Sequence, residues 1–155
     1  GVTNARVTNA AGMDAGGMNA RVTNAAGMVS ATDGARVLAD PARIERAVAN
    51  VVRNAILYTP SGGSVKVEIE TAGGADHTVK LHVIDTCGGL SAQDLERMFD
   101  PGWRGSASRT PQAGAGIGVG LTITQAIVAE AGGSLHAENH QGGCRVSLIL
   151  PVHSS

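Results

Sequence analysis

Asp40-Pro-Ala-Arg-Ile-Glu-Arg-Ala-Val-Ala-Asn-Val-Val-Arg-Asn-Ala-Ile-Leu-Tyr-Thr-Pro60 is the stretch from which the fold is read. Asp40 followed by Pro41 has the form of a helix cap with proline at the first helical position, where the missing N–H would lack a partner anyway. Ile44, Ala47, Val48, Val51, Val52 and Ala55 then recur at i, i+3, i+4, i+7, i+8 and i+11. One helix face is therefore apolar for about four turns. Pro60 and the Ser-Gly-Gly after it stop helical pairing near Tyr58. Such a helix needs a second layer, and the next residues supply it. Val65-Lys-Val-Glu-Ile-Glu70 alternates apolar and polar, as a strand with one wet face should, and Thr78-Val-Lys-Leu-His-Val-Ile84 reads as the next strand.

Further out the pattern continues in both directions. Residues 35–39 form a short strand candidate before the helix. Residues 91–98 read as a short helix with a Ser cap and with Gln93 and Asp94 in its first turn. Residues 101–114 are Gly, Ser, Arg, Thr and Pro and read as a mobile loop. A second apolar helix is expected over 118–131, ended by Gly132-Gly133. Residues 134–138 and 145–150 predict a closing hairpin around Asn139-His-Gln-Gly-Gly143, with Pro151 ending the last strand. Three helices and about five strands gathered in pairs predict an α+β two-layer sandwich: a mixed five-stranded sheet covered on one face by about three helices.

A chain of 155 residues with 43% apolar and 16% charged residues holds one compact domain. That domain is expected over 34–152. Before it, Asn-Ala-Arg-Val-Thr-Asn-Ala-Ala-Gly-Met occurs at 4–13 and again at 19–28. Two copies of a Gly, Asn and Thr mixture cannot bury a continuous face, so residues 1–33 read as a low-complexity linker, an artefact or a poorly ordered stretch. A formal net charge of −1 supplies no electrostatic reason to bind nucleic acid or an anionic membrane surface. No apolar run approaches the roughly 18 residues of a membrane helix, and the start lacks a signal-peptide pattern. Cys87 and Cys144 lack metal-site spacing and are too few for a disulfide scaffold. A soluble, cytoplasmic protein is expected.

Several polar residues interrupt these elements in a way that suggests chemistry. Asn50 and Asn54, at i and i+4, share a helix face beside the apolar stripe. Asn forms helix interiors poorly, and its carboxamide oxygen is a hard neutral ligand suited to Mg²⁺, although a solvated outer face would look the same. Asp85 ends an apolar strand. Its carboxylate accepts hydrogen bonds only, which matches the exocyclic amine of adenine and disfavours guanine; a turn-capping Asp is the other reading. Gly88 and Gly89 would permit close backbone approach. Gly114, Gly116, Gly118 and Gly120 fit neither a Walker loop, since Lys66 and Lys80 lie in strands, nor a dinucleotide fingerprint, since Val119 occupies the third glycine position. At a helix start they can present free amides to phosphate, or simply be a flexible loop.

In order, residues 50–54, Asp85 in Ile-Asp-Thr-Cys-Gly-Gly, Phe-Asp-Pro-Gly-Trp-Arg at 99–104, and Gly-Ala-Gly-Ile-Gly-Val-Gly-Leu at 114–121 resemble the N box, first glycine box, F box and second glycine box of the ATP-binding domain of sensor histidine kinases. The resemblance covers roughly residues 35–151. It implies ATP and Mg²⁺ as ligands, with Asn54 holding magnesium, Asp85 binding adenine and Gly89 close to the base. It further implies that Tyr58, Leu121 and Thr122 contact nucleotide and that Gly114, Gly116, Gly118 and Gly120 form the hinge of a lid. Arg104 and Asn50 fall at the catalytic positions. A guanidinium at 104 can grip the transferring phosphoryl group through two parallel hydrogen bonds. Asn50 stands where related ATPases of the gyrase, chaperone and mismatch-repair group carry the Glu that activates water, so hydrolysis is expected to be poor. Leu57 replaces a frequent Lys, Cys87 the first glycine of its box, and Cys144 a usual Ser or Thr.

Histidine kinases let an acceptor imidazole attack the γ-phosphate, with catalysis by positioning and charge. None of His77, His82, His136, His140 and His153 lies in a His-Glu-x-x-x-Pro type motif. The expected function is thus the ATP-binding catalytic module of a two-component kinase. Its acceptor histidine would sit on a helical hairpin in trans or in a longer parent chain, with a response regulator downstream and recruitment to a membrane-bound sensor. An anti-sigma-factor type serine kinase and a degenerate nucleotide-binding interaction module are the alternatives.

Overall fold

The computed structural model describes residues 2–8, 37–72, 77–103 and 119–152, with 2–8, 71–72 and 119 described by backbone alone. The elements are β1 (Val2–Thr8), α1 (Pro41–Tyr58), β2 (Ser64–Ala72), β3 (Thr78–Asp85), α2 (Ala92–Arg97), α3 (Val119–Glu130), β4 (Ser134–His140) and β5 (Gly143–Pro151). Strands β2, β3, β5 and β4 lie side by side in that order, and β1 pairs along the outer edge of β2. Helices α1 and α3 pack on each other and against this sheet. The class is the expected α+β sandwich.

Two details of the sheet correct the expectation. Every pairing among the described residues is antiparallel, where a mixed sheet was expected. β5 is antiparallel to both β3 and β4, so β3 and β4 run the same way but are held apart by the strand inserted between them. The crossover through α2 and α3 thus never creates a parallel ladder. The strand expected over 35–39 is also absent where described: residues 37–39 make no strand and lead directly into the Asp40 cap, with Leu38 74% exposed.

Local chemistry accounts for the element ends. Asp40 Oδ1 accepts the Ala42 N–H at 3.0 Å, and Pro41 opens α1 as its sequence predicts. Thr59 closes it, donating its hydroxyl to the Ala55 carbonyl at 2.6 Å. Ser91 caps α2 by accepting the Asp94 N–H at 3.1 Å, and its hydroxyl donates to the buried Asp94 carboxylate at Oδ2, 2.9 Å away. The β4–β5 ladder runs to His140 opposite Gly143, leaving only Gln141 and Gly142 in the turn, at φ 46° and 78°. The turn is a tight two-residue one, shorter than the five-residue loop expected, because both central residues accept left-handed backbone.

The core is aliphatic. Val51 and Val52 from α1, Val65 and Val67 from β2, Val83 from β3, Val128 from α3 and Leu148 from β5 are all at most 1% exposed. The apolar stripe read from α1 supplies Ala47, Val51, Val52 and Ala55 to this cluster, with Ile44 and Val48 at its margin. Packing of that stripe on the valine face of the sheet leaves Asn50 and Asn54 on its flank, both half-buried, with Asn50 facing α3.

Candidate nucleotide site

Three places in the fold converge on the residues singled out above. The first is the side of α1 that carries Asn50, Asn54 and Tyr58, spaced one helical turn apart and all half-buried. Asn50 donates its carboxamide N–H to the Gly120 carbonyl at 3.3 Å, tying α1 to the first turn of α3. The Asn54 side chain makes no hydrogen bond to another described residue, which leaves its carboxamide oxygen available to a hard cation. Among the described residues no cluster of three or more His, Cys, Asp or Glu could hold a metal. A cation bound by one neutral side chain and by ligand oxygens fits this donor set; an all-protein cage does not.

The second place is the end of β3. Asp85 is 8% exposed, and its Oδ1 accepts two backbone amides, from Cys87 at 3.0 Å and from Cys144 at 3.1 Å. Oδ2 accepts no hydrogen bond from another described residue. The carboxylate is thereby fixed in orientation by one oxygen and presents the other as an acceptor. Two of the three positions that depart from the resembled pattern, Cys87 and Cys144, contribute here through main-chain N–H groups, which any non-proline residue supplies. Gly88 and Gly89 follow at φ 92° and 95°, a backbone that L side chains rarely adopt.

The third is the junction of the F box with α3. The Thr122 hydroxyl donates to the Phe99 carbonyl at 3.4 Å, and Leu121 is 8% exposed within the core cluster. Arg97 lies over the Trp103 ring at 4.4 Å from its centroid and bonds Asp100 Oδ2 through Nε at 3.2 Å, so the 97–103 turn closes on itself. Arg104, Gly114, Gly116 and Gly118 lie outside the described residues, as does most of the loop read over 101–114. Of the glycine run, Gly120 is described, in the first turn of α3.

Sequence reasoning missed two residues here. Thr124, fully buried, places its hydroxyl 2.9 Å from the Gly120 carbonyl and 3.3 Å from the Ala47 carbonyl, sharing one proton between α3 and α1. A polar residue at the core phase of the helix, three after Leu121 and four before Val128, was the available signal. Asn139, read only as part of a turn, accepts the Leu90 N–H at 2.7 Å and donates to the Leu90 carbonyl at 2.9 Å. No local pattern reveals a partner 49 residues away.

Residues 39–154 match the family described as histidine kinase-, DNA gyrase B- and HSP90-like ATPase. The chain belongs to that family. Within it, the similarity is to sensor kinases. Sensor histidine kinase CusS of Escherichia coli O6:H1 is 34% identical over 120 residues, covering 77% of this chain and 24% of the relative. Histidine protein kinase DivJ of Caulobacter vibrioides is 38% identical over 115 residues, covering 74% of this chain and 18% of that protein. Among solved structures, mycobacterial sensor histidine kinase MprB superposes with a TM-score of 0.65 at 26% identity, covering 77% of this chain and 78% of that one. The catalytic domain of histidine kinase ThkA gives 0.60 at 26% identity, covering 73% and 69%. The region is thus like the catalytic ATPase domain of histidine kinases, and the chain spans about a quarter or less of the length of the two sensor kinases named first. No helix among the described residues is long and apolar enough to cross a membrane.

Proposed function

We propose that this chain is the ATP-binding catalytic module of a two-component sensor histidine kinase, which delivers the γ-phosphate of Mg-ATP to a histidine on a separate helical phosphoacceptor domain. The observation that carries the reading is Asp85, buried at a strand end with Oδ1 committed to two amides and Oδ2 left as an acceptor. In this reading Asp85 accepts the adenine amine, Gly89 lets the backbone approach the base, and Tyr58, Leu121 and Thr122 line the nucleotide. Asn54 would hold Mg²⁺ through its carboxamide oxygen; the ion supplies charge neutralisation to the phosphates. In the same reading the amides of the glycine run from Gly114 through Gly116 and Gly118 to Gly120 would serve the triphosphate, and Arg104 would grip the phosphoryl group.

Asn50 is a donor bound to the Gly120 carbonyl, and a neutral amide cannot take a proton from water. Transfer therefore depends on an acceptor imidazole brought in line with the γ-phosphate, by positioning rather than by base catalysis. In this reading the acceptor hairpin lies elsewhere in a longer parent chain or on a partner, a response regulator takes the phosphoryl group from it, and the module works on the cytoplasmic side of a membrane-bound sensor. The experiment is incubation with radiolabelled Mg-ATP and a panel of acceptor hairpins. Acid-labile, alkali-stable phosphohistidine is the predicted product. Phosphoserine would identify a serine kinase instead, and nucleotide binding without any transfer would identify an interaction module.

A further inference from the structure

In the loop after Asp85, Cys87 and Leu90 pack against the core. Gly88 and Gly89 between them have no side chains to do so, and a Cβ at Gly88 would meet nothing within 4 Å. The position of the two glycines depends on hydrogen bonds made by the main chain. Gly88 N–H donates to the Gly142 carbonyl at 2.9 Å. Leu90 is held on both of its peptide groups by one side chain, donating its N–H to Asn139 Oδ1 at 2.7 Å and accepting from Asn139 Nδ2 at 2.9 Å. The carboxamide thus does for Leu90 what a peptide unit of a neighbouring strand would do.

Asn139 is also the register partner of Cys144, whose N–H is one of the two amides on Asp85 Oδ1. The segment from Asp85 to Leu90 is therefore fastened at both ends to the same β4–β5 hairpin, at Asp85 through the Cys144 main chain and at Leu90 through the Asn139 side chain. Asn139 itself is exposed and belongs to no core cluster. Packing gives no reason for a carboxamide there; the two hydrogen bonds do.

We infer that Asn139 is a positioning residue for the adenine side of the site: it fixes the Gly88-Gly89 backbone beside Asp85 so that the base meets a preformed wall. This rests on the nucleotide reading proposed above. A preordered loop removes an entropic cost from binding and leaves the phosphate contacts unchanged, so its loss weakens every adenine-bearing ligand by one common factor.

The test compares the full chain with Asn139→Leu, which keeps the shape and loses both hydrogen bonds, and Asn139→Asp, which keeps the acceptor and loses the donor. Amide hydrogen exchange of Gly88 and Leu90, thermal midpoint, and affinity for ATP, ADP and adenosine are measured on all three. The Leu variant is expected to exchange faster at Gly88 and Leu90 and to bind ATP, ADP and adenosine each about tenfold more weakly, with an unchanged midpoint. The Asp variant should lie between, a partial rescue that mere loss of fold would not produce. Unchanged exchange, unchanged affinity, or a loss confined to ATP and ADP while adenosine binds normally would overturn the inference. If the Leu variant does not fold, the same comparison with the Asp variant decides. Failure of the unaltered chain to bind ATP would refute the proposed function itself, whereas retained binding in the variants refutes only the role of Asn139.

Discussion

Asp85 and Gly143 show how closely single residues are constrained where β3 and β5 end. A Cβ at Gly143 would stand 1.6 Å from the Asp85 carbonyl oxygen and 3.0 Å from the Thr86 Cα, both backbone atoms that cannot swing aside. Gly143→Ala should therefore cost about 3 kcal/mol or more, read by urea denaturation, because β5 must withdraw from the strand that carries Asp85. Asp85 was singled out in the sequence with two readings, an adenine acceptor and a turn cap, and its Oδ1 does accept the Cys87 amide two residues on, as a turn cap would. Gly143 was read only as part of a turn. Its requirement comes from a strand 58 positions earlier, and no spacing rule links the two.

At the scale of elements, α1 was readable to the residue because its cap, its apolar period and its proline stop are all local. The sheet was not, because strand order depends on which edge the closing hairpin occupies. β5 could have lain outside β4, and nothing in the alternation of residues 145–150 says that it enters between β3 and β4. The junction of α1 with α3 was likewise invisible, although its parts were not: Asn50 was singled out as chemistry and Gly120 as a hinge, yet in the structure they bond each other. Thr124 reinforces the same junction through the Gly120 and Ala47 carbonyls. Thr124→Val preserves shape and removes the donor, and should cost about 1 kcal/mol in chemical denaturation. A substitution that left stability untouched would mean that this buried hydroxyl contributes nothing to the α1–α3 contact.

Across the whole molecule, ion pairs lie on both layers, Arg43 with Glu130 between α1 and α3 and Arg145 with Glu138 on the closing hairpin. On β4 and β5 the Arg145 side chain donates to Glu138 Oε1, through Nε at 2.7 Å. That hydrogen bond first, and the Arg145 charge next, hold the Glu138 carboxyl below its ordinary value of 4.5. A carboxyl with a depressed folded-state pKa stabilises fully above its unfolded value and loses that stabilisation as pH falls through the folded one. The acid limb below about pH 4.5 should therefore be shallower in Glu138→Gln when melting is followed against pH, the variant being the less stable near neutrality and converging with the unaltered chain in acid. Equal acid limbs would mean the exposed pair is screened to insignificance.

The central claim is that the buried acceptor at the end of β3 reads adenine. Calorimetric titration of the full chain with Mg-ATP, beside Asp85→Asn, tests it most directly. The substitution keeps an oxygen for the Cys87 and Cys144 amides and replaces the outward acceptor by a donor that opposes the adenine amine. The predicted result is saturable binding by the unaltered chain and a loss of at least about a hundredfold in the variant, at an unchanged thermal midpoint. Equal affinity in the two proteins would contradict the account.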